Sequence, residues 1–151
     1  MLEYRIEEKP QFTLVGLSQM FCYDTSYQQI PKFWQKVLSA ENPPLWGMYG
    51  LCIGGAGKEF EYVIADDYVP SKPIPEGCVV KVIPEATWAV FPCRGPIPQI
   101  LQAVNTEIWS QWLPNNKEYR LAVNMDIEFY TQPTENPEDN YSEIWLPVEK
   151  V

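Results

Sequence analysis

The same order of predicted elements occurs twice along this chain, and that order restricts the fold more than any single motif does. Periodicity and turn residues predict, for the first half, an extended segment over Tyr4–Phe21, a helix from Ser26 to about Ala40, a strand over Leu45–Ile53, a hairpin at Gly54–Gly57 and a strand over Glu59–Ala65. They predict, for the second half, an extended segment over Cys78–Phe91 that breaks at Pro84, a helix from Gly95 to Pro114, and strands over Leu121–Tyr130 and Tyr141–Val148. Each half therefore has the order strand, helix, strand, strand.

An internal duplication is the simplest explanation of this order. It predicts pseudo-repeats at residues 1–75 and 76–151 within one domain that spans residues 1–151. The fold class that follows is α+β, in which duplicated β-α-β-β units form a pseudo-two-fold antiparallel sheet. We expect the two helices on one face of that sheet and a ligand groove on the other.

Composition excludes several classes of function. Acidic residues outnumber basic ones 20 to 11, which gives a net charge of −9 and argues against direct binding to nucleic acids or anionic membranes. The chain has no His, so a His-based catalytic triad is impossible. Its four cysteines stand singly, so we expect no metal site and no cofactor. No apolar run approaches the ~20 residues of a membrane span, and we expect a cytoplasmic protein.

Two predicted strands near the C-terminus each place a carboxylate in an apolar, aromatic run. Glu128 stands within NMDIEFY and Glu143 within YSEIWLPV. Strand alternation puts Glu128 on the face opposite Ile127 and Phe129, and Glu143 on the face opposite Ile144 and Leu146. If the aliphatic faces pack beneath the helices, both acids lie on the other face. A buried carboxylate needs a compensating partner, so this arrangement predicts a site for a cation.

These passages resemble a known family, the GyrI-like, AraC-type effector-binding domains of multidrug-sensing transcription regulators. The resemblance rests on the Gly95–Pro114 passage, which runs from GP through a helix to WLP, on the IEFY strand and on the closing EIWLPV, and it spans essentially the whole chain. We find no helix-turn-helix sequence before these motifs. The chain is therefore most similar to the free-standing form of the domain, the cationic-drug-binding proteins that integron gene cassettes carry.

The resemblance implies binding of lipophilic cationic small molecules by a buried acid among aromatic rings. Glu143 and Trp145 match the family's acid and aromatic in the closing motif, and Glu128 matches the acid of the preceding strand. Further candidates for the aromatic walls are Tyr62, Trp46, Tyr49, Tyr27 and Trp109. Because Trp46 and Tyr49 stand an odd number of residues apart in a predicted strand, only one of them can face the site. Burial of a carboxylate raises its pKa, so we expect cation binding to release a proton.

Other interpretations of these residues stay open at this stage. One leaves Glu128 and Glu143 on a solvated sheet face, and another assigns Trp109 to core packing with Trp112. A hydrolase of electrophilic small molecules would use Glu128 or Glu143 as a base, with Tyr62 or Tyr130 as the donor. An adaptor would use the acidic face to bind a basic partner protein. The sequence does not determine the oligomeric state.

Overall fold

The computed structural model describes residues 2–40, 43, 45–54, 57–132 and 134–151, which form an α+β fold. Within these residues the strands are β1 (Arg5–Lys9), β2 (Phe12–Cys22), β3 (Tyr49–Gly54), β4 (Glu59–Asp67), β5 (Val79–Ile83), β6 (Ala86–Arg94), β7 (Tyr119–Leu121), β8 (Met125–Tyr130) and β9 (Tyr141–Lys150). The principal helices are α1 (Ser26–Leu38) and α2 (Gln99–Glu107), and α2 continues through a π-helical turn (Ile108–Trp112) into a last α-helical turn (Leu113–Asn115). The predicted α+β class with antiparallel strands and two helices is confirmed. Part of the predicted hairpin, Gly55 and Ala56, lies outside the described residues.

The chain divides into two compact units. The first consists of Met1–Pro10 and Glu85–Val151, and the second of Gln11–Pro84. In the first unit the strands lie in the order β1–β6–β9–β8, with β7 beside the C-terminal end of β9. In the second unit the order is β3–β4–β2–β5.

The strand that opens each predicted repeat pairs with a strand of the other repeat. β1 pairs with β6, and β5 pairs with β2, both antiparallel. The extended segment predicted over Tyr4–Phe21 is therefore two strands in different units, interrupted at Pro10. Because Pro lacks the N–H that a sheet ladder needs, Pro10 and Pro84 each suit a point where the chain leaves one unit and enters the other.

In each unit one helix covers one face of the sheet. Leu101, Val104 and Ile108 of α2 pack in one buried cluster with side chains of β6 and β9, among them Phe91, Ile144 and Leu146. In the second unit, Phe33 and Val37 of α1 pack with Phe60, Tyr62 and Ile64 of β4. Neither helix of the described chain has both the length and the apolar character that a membrane crossing requires.

The strand predicted to begin at Leu45 begins only at Tyr49. The Asp66 carboxylate accepts hydrogen bonds from the backbone N–H groups of Trp46, Gly47 and Met48, at 2.7, 2.8 and 3.0 Å. Gly47 has φ +81°, a left-handed backbone conformation that a β-strand does not contain. The residues before β3 are thus a loop held by one carboxylate, and the strand-alternation argument for Trp46 and Tyr49 does not apply.

Candidate functional site

The register between β8 and β9 decides which side chains share a face. Ile127 lies opposite Trp145, and Phe129 lies opposite Glu143. Glu128 instead lies opposite Ile144, which belongs to the core beneath α2. Directly opposed residues of antiparallel strands project to the same side of the sheet. The expectation that both acids share one face is therefore wrong: Glu143 lies on the face away from α2, and Glu128 lies on the α2 side.

Glu143 is buried, with 6% of its surface exposed, and its carboxylate is fully partnered. One oxygen, Oε2, accepts hydrogen bonds from Arg5 Nη2 at 2.9 Å and from the Tyr141 hydroxyl at 2.5 Å. The other, Oε1, accepts one from Trp145 Nε1 at 2.9 Å. Tyr141, Glu143 and Trp145 alternate along β9, which is why all three side chains reach the same face.

These contacts lower the pKa of Glu143. Burial, the largest single influence, raises it, but the hydrogen bonds from Tyr141, Arg5 and Trp145 and the charge of Arg5 together outweigh burial. The expectation of a raised pKa for the unliganded carboxylate is therefore wrong. Glu143 is ionised at neutral pH, so binding of a cation needs no proton release. The pKa of Tyr141 is raised, by burial and by its bond to Glu143, so its hydroxyl remains a donor.

Aromatic rings surround the Glu143 carboxylate on this face. Trp145 is 7% exposed and stacks on Phe129, with centroids 5.4 Å apart and planes 25° apart. The buried Trp88 meets Trp145 edge to face at 6.4 Å. Strand alternation predicts Phe129 on the aliphatic face, but the register between β8 and β9 places it among these rings.

Strand β1 brings two cations of the protein itself to the same face. Arg5, Glu7 and Lys9 alternate along β1, and Arg5 lies opposite Val90, which in turn lies opposite Trp145. Lys9 Nζ lies over the Trp145 ring, 4.2 Å from its centroid. Glu7 accepts a bond from Arg5 Nε at 3.2 Å and lies 3.9 Å from Lys9 Nζ. We call Arg5, Lys9, Tyr141, Glu143, Trp145 and Phe129 the Glu143 site.

The second predicted acid lies in a different environment. The Tyr130 hydroxyl donates a hydrogen bond to Glu128 Oε1 at 3.0 Å, and Tyr130 packs against the core beneath α2. Trp109, predicted as an aromatic wall, is also on this side because it belongs to the π-helical turn that continues α2. Its indole donates to Asn105 Oδ1 at 3.1 Å. Trp112, by contrast, packs edge to face on Phe91 in the core.

The remaining predicted wall residues belong to the second unit. Tyr62 is 1% exposed in the core beneath α1, and its hydroxyl accepts a hydrogen bond from Trp34 Nε1 at 2.8 Å. Tyr49 is buried and donates from its hydroxyl to Asp67 Oδ1 at 3.0 Å. Trp46 in the loop before β3 is 84% exposed, and Tyr27 is an exposed residue of α1.

Sequence reasoning missed most of the polar partners of Glu143. Arg5, Glu7 and Lys9 share one face of β1 by strand alternation, and this alternation of charges is a signal that the sequence does carry. The contact between Arg5 and Glu143 carries no local signal, because the two residues are 138 positions apart in the chain.

Comparison with known proteins agrees with this architecture. Residues 5–148 match the model of the Cass2 family, described as integron-associated effector binding protein. The transcriptional regulator BrlR of Pseudomonas aeruginosa is 28% identical over 153 residues, which cover 95% of this chain and 54% of BrlR. The chain thus spans about half the length of this relative.

Two solved structures share the fold. SAV2435, solved bound to tetraphenylphosphonium, superimposes with a TM-score of 0.81 at 24% identity and covers 98% of this chain and 94% of its own. The integron cassette protein VCH_CASS2, from the mobile metagenome of Vibrio cholerae, gives a TM-score of 0.73 at 20% identity and covers 97% and 95%. The resemblance to GyrI-like effector-binding domains is confirmed, and with it a role in binding small molecules. The chain belongs to the Cass2 family of integron-associated effector binding proteins.

Proposed function

We propose that this protein binds lipophilic cationic small molecules at the Glu143 site, in a sensing or sequestering role. The observation that carries the proposal is the position of Lys9, whose ammonium lies over the Trp145 ring at 4.2 Å. Trp145 in turn donates a hydrogen bond to the buried Glu143 carboxylate. A positive charge is thus accommodated on this ring beside an ionised acid.

The residue types suit this class of molecule. A lipophilic cation needs apolar surface to bury and a counter-charge that stays ionised when buried. Stacked Trp145 and Phe129 offer the surface, and a well-placed ring adds about 0.5–2 kcal/mol of cation–π attraction. Glu143 offers the counter-charge, and its attraction for a cation is stronger at a buried site than in water.

The comparisons support the same class. Tetraphenylphosphonium, to which SAV2435 was solved bound, carries one positive charge and four phenyl rings. It therefore combines the two properties that the Glu143 site would recognise. The similarity to the transcriptional regulator BrlR supports a sensing role. We extend both the class of ligand and the sensing role to this chain as parts of the proposal.

A titration with tetraphenylphosphonium tests the proposal. We expect saturable binding by isothermal titration calorimetry with quenching of Trp fluorescence, and Glu143→Gln should weaken it by at least about tenfold, since the counter-charge is lost. Glu128→Gln is the matched control, because it removes the same charge on the α2 side of the sheet and should leave the affinity unchanged.

Triphenylphosphine oxide, which presents phenyl rings without a net charge, tests the role of charge. We expect it to bind far more weakly than tetraphenylphosphonium. Equal affinity for the two compounds, or equal losses in Glu143→Gln and Glu128→Gln, would show that Glu143 is not the counter-charge and would overturn the proposal.

A further inference from the structure

Two cations of strand β1, Arg5 and Lys9, lie within the Glu143 site. We infer, on the basis of the proposed function, that Arg5 and Lys9 are internal competitors that a cationic ligand displaces, and that they restrict the site to cations with large apolar surfaces. Arg5 and Lys9 would thereby determine both affinity and selectivity.

Arg5 is the cation that pairs with the Glu143 carboxylate. Its Nη2 lies 2.9 Å from Glu143 Oε2, and its side chain is 45% exposed whereas that of Glu143 is 8% exposed. The buried acid therefore meets its partner from the solvent side. A ligand that approaches Glu143 from the same side encounters the Arg5 guanidinium first, and Arg5 has room to move into water.

Lys9 covers the face of the Trp145 ring. Its ammonium lies over Trp145 at 4.2 Å, where a ligand cation would gain its own cation–π attraction. The Lys9 side chain is 24% exposed, so displacement returns a charge to water rather than burying it elsewhere. A small cation gains little from this exchange, because it replaces one ammonium with another.

Glu7 makes the displacement feasible. It already contacts both cations, Arg5 Nε at 3.2 Å and Lys9 Nζ at 3.9 Å, and its own side chain is 38% exposed. When Arg5 and Lys9 leave the Glu143 site, each keeps a carboxylate neighbour on the same strand. Neither charge is left buried without a partner, which is the usual obstacle to breaking such contacts.

The selectivity follows from this competition. A ligand displaces Arg5 and Lys9 only when it makes additional contacts that these side chains do not make. The additional contact open to a ligand is burial of its aryl groups against Trp145 and Phe129. Cations with aryl groups gain that surface, and tetramethylammonium does not. The amount of apolar surface that a cation needs in order to bind is therefore determined by the cations of β1 as well as by the rings.

The experiment measures two probes, tetraphenylphosphonium and tetramethylammonium, against the full chain by calorimetry. Arg5→Gln combined with Lys9→Met should bind tetraphenylphosphonium at least about tenfold more tightly than the wild type, and should bind tetramethylammonium measurably. Arg120→Gln is the control for loss of positive charge elsewhere on the protein: it removes one positive charge from a surface pair with Glu149 and should leave both affinities unchanged. Circular dichroism checks that each variant is folded.

The outcomes separate this inference from the proposed function. Wild-type binding with unchanged or weaker binding in the double variant overturns the competition and leaves the proposed function standing. Equal tightening in Arg120→Gln also overturns it, because a general charge effect then explains the result. Binding of tetraphenylphosphonium by the double variant alone supports the competition, whereas no binding by either protein overturns both.

Discussion

Phe129 of β8 lies directly opposite Glu143 of β9, and its ring stacks on Trp145 with centroids 5.4 Å apart. Its chain neighbour Tyr130 lies opposite Ser142 and packs against the core beneath α2. Two adjacent residues thus project to opposite faces of one sheet, and their substitution separates the two faces experimentally.

We expect Phe129→Leu to weaken tetraphenylphosphonium binding by about threefold to tenfold, because one ring of the site is lost while apolar volume is kept. Tyr130→Phe removes only the hydroxyl that bonds Glu128, and it should leave binding unchanged. Calorimetry on both variants measures this. A larger loss in Tyr130→Phe than in Phe129→Leu would place the binding face beneath α2 and contradict the register argument.

The lowered pKa of Glu143 predicts a dependence of stability on pH. Because its folded pKa lies below the ordinary value of 4.5, its ionised form contributes stability that is complete above that value and is lost as pH falls through the folded pKa. We expect the free energy of unfolding in urea to fall less between pH 6 and pH 3 in Glu143→Gln than in the wild type.

Glu149→Gln is the control for the pH experiment, because Glu149 forms a half-exposed surface pair with Arg120, and such pairs contribute little. Its acid-dependent loss of stability should match that of the wild type. Identical pH profiles for the wild type and Glu143→Gln would mean that the contacts of Glu143 do not stabilise its ionised form.

Trp145→Phe keeps a ring but removes the indole N–H that bonds Glu143 Oε1. We expect weaker binding of tetraphenylphosphonium by about fivefold, since Phe attracts cations less than Trp and the carboxylate loses one of its fixed partners. Trp109→Phe, in the π-helical turn on the other side of the sheet, loses its bond to Asn105 and should bind normally. Calorimetry avoids interference from the altered fluorescence, and the reverse order of effects would exclude Trp145 from the site.

Gly16 in β2 allows β2 and β4 to approach closely. A Cβ at this position would overlap the carbonyl oxygen of Ile64 and lie 2.8 Å from the Ala65 Cα, both of which are backbone atoms. We expect Gly16→Ala to lower the free energy of unfolding by about 2–3 kcal/mol, because neither strand can move without breaking its pairing.

Gly57→Ala is the comparison for Gly16→Ala. A Cβ on Gly57 meets no atom within 4 Å, and its cost comes only from φ +75°, about 1 kcal/mol. Urea unfolding of both variants measures the difference. A smaller loss for Gly16→Ala than for Gly57→Ala would contradict the close approach of the two strands.

Much of the fold could be predicted because it depends on local sequence patterns, namely hydrophobic periodicity and turn residues. The helix over Ser26–Leu38 and the strand over Tyr141–Lys150 follow from period and turn residues, within a few residues at their ends. The closing motif also identified Glu143 and Trp145, whose hydrogen bond to each other is local to β9. The start of β3 could not be predicted, because Asp66, on the next strand, holds the preceding loop.

The sequence by itself determined the α+β order, the family, and the pairing of an acid with a Trp on one face of β9. Only the tertiary structure decided which side of the sheet this face belongs to and which residues of other strands lie beside it. Alternation fixes faces within a strand, but the register between β8 and β9 depends on long-range pairing, and a shift of one residue exchanges the faces of Glu128 and Phe129. The exchange of β1 between repeats brought Arg5 and Lys9 to Glu143 and Trp145, and no local pattern encodes a contact made across the whole length of a chain.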